Sequence, residues 1–146
     1  RKSFMSTRDL HNNILVKRAI SPVVVTDNTA QVSQIIDTRG FQSLEFLIST
    51  GTLSDADTTV AVLVEDGDNS ALSDNAAVVD AELLGTESAA GFQFDDDNEV
   101  RKIGYIGNKR YVRLTITPSA NTGNIPLCAI AVLANPCDAP VTQSAS

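Results

Sequence analysis

The chain has 146 residues, 42% of them hydrophobic and 20% charged, with a net charge of −7. That length supports one domain with its own hydrophobic core, and the composition excludes a disordered chain. No apolar run approaches the ~20 residues of a membrane-spanning helix, and the basic N-terminus lacks the apolar stretch of a secretory signal, so synthesis without secretory export is expected.

The charge is unevenly divided. Residues 1–18 carry Arg1, Lys2, Arg8, Lys17 and Arg18 against Asp9 alone, a net +4, whereas the remainder carries six basic and seventeen acidic residues, a net −11. Residues 1–19 therefore read as a basic N-terminal arm on an acidic body. The body would repel nucleic acid, so the arm's cations are expected to meet acidic protein surface in preference to phosphate. Within the arm, residues 7–16 suggest a helical turn, weakened by Asn12 and Asn13.

The domain proper is expected over residues 20–136. Ser21-Pro22 opens a β-branched run at 23–26, with the proline at the strand's start. A second strand is predicted at 32–36 and closes on Asp37-Thr-Arg-Gly40; Arg39 there is a turn residue first and a partner contact second. A third, at 43–50, turns Leu44, Phe46 and Ile48 to one face. A fourth, at 59–65, turns Val60, Val62 and Val64 inward and carries Ala61 and Leu63 on its other face, as a central or interface strand would.

Residues 76–84 read as a short helix ended by Gly85. Residues 91–95 read as a strand with Phe92 and Phe94 on one side, both expected to be buried. Residues 101–117 read as a hairpin around a tight Gly107-Asn108 turn. Its second strand alternates Tyr111, Arg113, Thr115 and Thr117 against Val112, Leu114 and Ile116. The last strand is 125–134, followed by a polar tail at 137–146, expected to be ordered only when a partner holds it.

About eight short strands separated by turn signals make the chain all-β. The expected architecture is a two-sheet antiparallel β-sandwich with an extended N-terminal arm and a short C-terminal tail. A jelly roll and an immunoglobulin-like sandwich both fit. With no Trp for an immunoglobulin core, the jelly roll is preferred.

Chemistry is sparse. The single histidine, His11, lies in the arm, where nothing holds it beside a nucleophile. His11, Cys128 and Cys137 are too few and too scattered for zinc. Cys128, inside the apolar run 127–133, reads as a buried thiol, and a Cys128–Cys137 bridge is the lesser alternative. The acidic clusters at Asp55/Asp57, 65–68 and 95–99 offer oxygens to Ca²⁺ but lack EF-hand spacing, and solvated turns are the preferred reading. No catalytic residue, cofactor or metal site is expected. The contacts predicted for a partner are Arg1, Lys2, Arg8, Lys17, Arg18 and Arg39.

Residues 36–46 (Ile-Asp-Thr-Arg-Gly-Phe-Gln-Ser-Leu-Glu-Phe), residues 100–118 and the stretch Glu82-Leu-Leu-Gly-Thr86 together resemble small all-β proteins encoded among the virion genes of tailed phages and prophages. The resemblance spans about residues 20–136 and is closest to jelly-roll capsid decoration, or cement, proteins like that of the short-tailed Bordetella phage. It implies a non-catalytic virion protein on the outer capsid surface, made in the bacterial host cytoplasm. Its partners would be the major capsid protein and a second copy of itself, as a homodimer or a trimer, with neither membrane nor nucleic acid. No functional residue set carries over, and residues 1–19 lie outside the resemblance. Deleting residues 1–18 is accordingly expected to spare the fold and weaken capsid binding. The alternatives are a tail, baseplate or head–tail connector component, which would form rings, and a carbohydrate-binding sandwich, which would need exposed aromatics.

Overall fold

The alternating and β-branched runs form strands throughout the structure, a computed structural model that describes residues 8–144. A 3-10 turn at His11–Asn13 leads into β1 (Ile14–Val25), β2 (Gln31–Val32), β3 (Ile36–Asp37), β4 (Phe41–Thr50) and β5 (Thr59–Gly67). Then come β6 (Ala76–Ala77), a second 3-10 turn at Asp80–Glu82, β7 (Leu83–Leu84), the helix α1 (Glu87–Ala90) and β8 (Phe92–Gln93). Three long strands complete the chain: β9 (Val100–Tyr105), β10 (Tyr111–Ser119) and β11 (Ile125–Pro136).

Two antiparallel sheets pack face to face. One has the order β1-β11-β4-β9-β7, and the other β2-β10-β5-β6, with β3 also beside β10 and β8 beside β5. Merging β2 with β3, and β6 with β8, leaves nine strand positions. Setting aside the two-residue edge strand β7, the other eight run β1-β11-β4-β9 against β2/β3-β10-β5-β6/β8, the strand order of a jelly roll. Almost every link in the chain crosses from one sheet to the other. The core between the sheets is lined by Phe46 and Ile48 of β4, Val64 of β5, Ile103 of β9, Leu114 and Ile116 of β10 and Leu133 of β11, all essentially inaccessible. The inward sets predicted for β4, β5 and β10 are the ones buried.

Several expectations are corrected. The strands on either side of Gly107-Asn108 form, but not as a hairpin. β9 pairs with β4 in one sheet, and β10 pairs with β5 in the other. β10 pairs over its whole length with β5, a register the shorter β9 could not match.

The arm ends earlier than residue 19. Ile14-Leu-Val16 is a β-branched and apolar run that lies against Ala134, Leu133 and Val132 of β11. Pro22 sits within β1 rather than at its start. It is tolerated because β1 is the sheet's edge and its register shifts between Ile20 and Val23.

Residues 76–84 are two strand fragments and a 3-10 turn, not a helix. Ala76-Ala77 pairs with Asp66 and Glu65, and Leu83-Leu84 pairs with Tyr105 and Gly104. A nine-residue segment is too short to hold a helix by propensity against two sheet edges. Gly85 does adopt the left-handed conformation foreseen for it (φ +86°), at a strand end.

The C-terminal tail is held by its own chain. The Val141 amide donates to the Asn12 carbonyl at 2.8 Å. The Gln143 side chain brackets Val16, accepting from its amide at 3.1 Å and donating to its carbonyl at 2.7 Å.

Candidate interaction surface

The two sheets differ on their outward faces. On the sheet containing β10 and β5 the outward positions are mostly polar. Arg113 pairs across the strands with Glu65 at 2.8 Å, and Thr115 and Thr117 stand opposite Leu63 and Ala61. At that sheet's margin the Arg110 guanidinium grips both Asp37 oxygens at 2.8 Å, which holds the Asp37 carboxyl below its usual range.

The sheet built on β4 and β11 is apolar on both sides. The register sets Val16 beside Val132 and Arg18 beside Ile130, then Ile130 beside Leu47 and Leu47 beside Lys102. Val24 and Val100 continue this face at one end. Leu84 and Ile106 continue it at the other, beside Val132 and Ala134. Of the ten large apolar side chains exposed among the described residues, six lie here, Val100 (72%) the most open. Scattered exposed apolar residues need no explanation, but a contiguous set on one sheet marks an interaction site.

Glu45 stands near the middle of this face, on the central strand. Its carboxylate lies over Gly104, where a Cβ would meet Oε1 at 2.6 Å. Burial pushes its pKa up and Lys102 of β9 opposes that shift; among the described residues no hydrogen bond holds the carboxylate. The neighbouring strands β7 and β11 present Leu84 and Val132, so neither brings a charge to the pocket around it. That pocket holds about 230 Å³.

The cations predicted as partner contacts do not form one cluster. Arg1 and Lys2 lie outside the described residues. Arg8 is exposed beside a hollow it shares with Asn135 and Pro136. Arg39 is exposed in the β3–β4 turn, where its amide is capped by the Asp37 carboxylate at 3.0 Å. Both therefore lie at the C-terminal end of β11, because the Cys137 amide donates to the Gly40 carbonyl. Lys17 stands opposite inward-facing Ala131, and its charge bears on Asp37. Arg18 lies opposite Ile130, on the apolar face, and its guanidinium donates to the Ser21 hydroxyl at 2.8 Å. Of the four described cations, the structure thus places Arg18 on the face that stands out.

Cys128 is on this outward face beside Ser49, half-buried, and not in the core. Both cysteines are free thiols. Phe92 is buried, but Phe94 is exposed, contrary to expectation, because β8 ends at Gln93 and the chain turns on the Asp96 carboxylate.

The acidic clusters serve their own loops. Asp55 accepts from the amides of Asp57 and Thr122, Asp97 from that of Leu53, and Asp74 from those of Asp68 and Asn69. Among the described residues no three His, Cys, Asp or Glu side chains converge as a metal site. Among the same residues no helix is long and apolar enough to cross a membrane.

The apolar run 127–133, in which the sequence placed a buried Cys128, supplies this face with Cys128, Ile130 and Val132. Sequence reasoning missed Glu45, whose setting is made by Gly104 and Leu84, brought in from β9 and β7.

No protein-family model matches the chain, and no curated protein matches it by sequence. Solved structures do share its fold. The PBSX exported protein XepA superposes with a TM-score of 0.55 at 13% identity, over 88% of this chain and 40% of that one. A chain in the structure of infectious bursal disease virus, Gx strain, superposes with a TM-score of 0.53 at 12% identity, over 87% of this chain and 33% of that one. The chain thus spans well under half the length of either. At such identities the likeness establishes the architecture alone, a two-sheet antiparallel β-sandwich.

Proposed function

We propose that this chain is a structural virion protein of a tailed phage, a capsid decoration protein that binds the outside of the head, bridges major capsid subunits and catalyses nothing. The observation that carries the reading is a jelly roll in which one sheet is apolar on both sides, set in an otherwise acidic chain. An outward apolar face costs solubility and is retained where a partner covers it. A shell is stabilised by added interface, repeated over many copies, with ~800 Å² per partner a typical contribution. The acidic remainder, facing solvent, keeps decorated particles apart. Support comes also from the fold shared with an exported PBSX protein and with a chain in a virus structure, and from carboxylates engaged in loop hydrogen bonds instead of converging on a cleft.

The test is co-sedimentation with empty phage shells. The full chain is compared with Ile130→Glu on the apolar face and with a version lacking residues 1–7. A cut after residue 18 is unsuitable, since it removes Ile14–Arg18 from β1. Hundreds of copies per shell, lost in Ile130→Glu, are expected. Occupancy of six or twelve copies per particle would instead support the tail or connector reading. Undiminished binding by the truncated chain would remove Arg1 and Lys2 from the interface.

A further inference from the structure

We propose that the outward face of the β4–β11 sheet docks a protein surface that is apolar around one protruding Lys or Arg side chain, and that the pocket at Glu45 receives that cation. The identity of the partner as a capsid subunit rests on the function proposed above; the chemistry of the pocket does not.

Four observations converge on this pocket. Its volume, about 230 Å³, is below the roughly 300–1,000 Å³ of a small-molecule site, and it suits one long side chain. Beside Ser43 and Tyr105 it is lined by Leu84, Ile106, Val132 and Ala134, which would flank the methylene stem of a Lys or Arg. Gly104 lies against the Glu45 carboxylate, where a Cβ would meet Oε1 at 2.6 Å and push the carboxylate aside. Among the described residues the carboxylate has no hydrogen-bond partner, and Lys102 acts on it only through its charge.

An apolar partner that covered this group without pairing it would strand a buried charge, and such docking fails. Glu45 therefore selects among apolar partners, admitting those that bring a cation. A second copy fits less well. Glu45 is on the middle strand of five, so two copies stacked symmetrically about this sheet would bring their two carboxylates toward each other.

The experiment uses the full chain and two probes, n-butylguanidinium and neutral n-butanol, followed through the amide NMR signals of Leu84 and Gly104. Saturable shifts with butylguanidinium are expected, at least tenfold weaker in Glu45→Gln and also in Gly104→Ala, which keeps the charge but displaces the carboxylate. Thermal unfolding of both variants checks that they fold. Equal responses to the two probes, or an unchanged response in Glu45→Gln, would overturn the proposal.

In the shell assay Glu45→Gln is expected to bind at least tenfold more weakly. A wild-type chain that takes butylguanidinium yet leaves shells bare would sink the capsid assignment while supporting the pocket. If sedimentation of the chain alone shows an oligomer that Glu45→Gln dissociates, the occupant is a second copy and the proposal is wrong.

Discussion

Tyr105 shows how single residues tie this sandwich together. From the end of β9 its hydroxyl crosses to the other sheet and donates to Asp66 Oδ2 at 2.7 Å, while the Lys109 amide donates to it at 3.0 Å. Burial and the Asp66 carboxylate push the phenol's pKa far up, so it stays a donor at any ordinary pH. Tyr105→Phe leaves buried Asp66 without that donor, and chemical denaturation should show a loss of about 2 kcal/mol, the scale of a hydrogen bond to a carboxylate. Glu45 works in the opposite direction. Its folded pKa is raised above the ordinary 4.5, so its ionised form costs stability, fully above the raised value and not at all well below 4.5. Glu45→Gln should therefore melt higher than wild type at pH 7. The gain should shrink as pH falls through the raised value and disappear in acid, which thermal melts across that range will check.

At the scale of elements, the edge strand β1 is the instructive case. An uncovered edge invites pairing with other chains. Here the C-terminal tail covers it, with Gln143 taking both the amide and the carbonyl of Val16. Gln143→Ala should speed hydrogen exchange at the Val16 amide while shifting global stability by less than about 1 kcal/mol. Unchanged exchange would mean that the tail does not guard the edge in solution. The elements also show how far local signals reach. The alternation of β10 was legible because each inward residue sees the core and each outward one sees water, a rule that needs no partner. Its pairing with β5 in place of β9 was not legible, because a glycine-asparagine turn signal is the same whether the chain doubles back or crosses to the facing sheet.

For the whole molecule, the jelly-roll order means that the long strands pair with partners distant in sequence: β1 with β11, β4 with β11, β5 with β10. Closing such loops costs entropy before any pairing repays it. Refolding by stopped flow should accordingly take milliseconds to seconds; microsecond folding would contradict a nucleus built on these pairs. The same topology makes the apolar outward face. It brings β11, the most continuously apolar strand, between β1 and β4, so that Val16, Ile130 and Leu47 become neighbours across three segments of the chain.

By itself the sequence determined the class, the strands and which residues of β4, β5 and β10 turn inward, because period-two patterning and turn residues are local properties of the chain. It also marked 127–133 as an unbroken apolar run. Only the tertiary structure decided that residues 14–19 are strand, that residues 76–84 are not helix, and that the tail folds back on β1. It alone brought Glu45 of β4 and Leu84 of β7 into one pocket, with Gly104 of β9 against both. Those outcomes depend on which distant segments meet, and long-range pairing leaves no periodic trace in a single sequence.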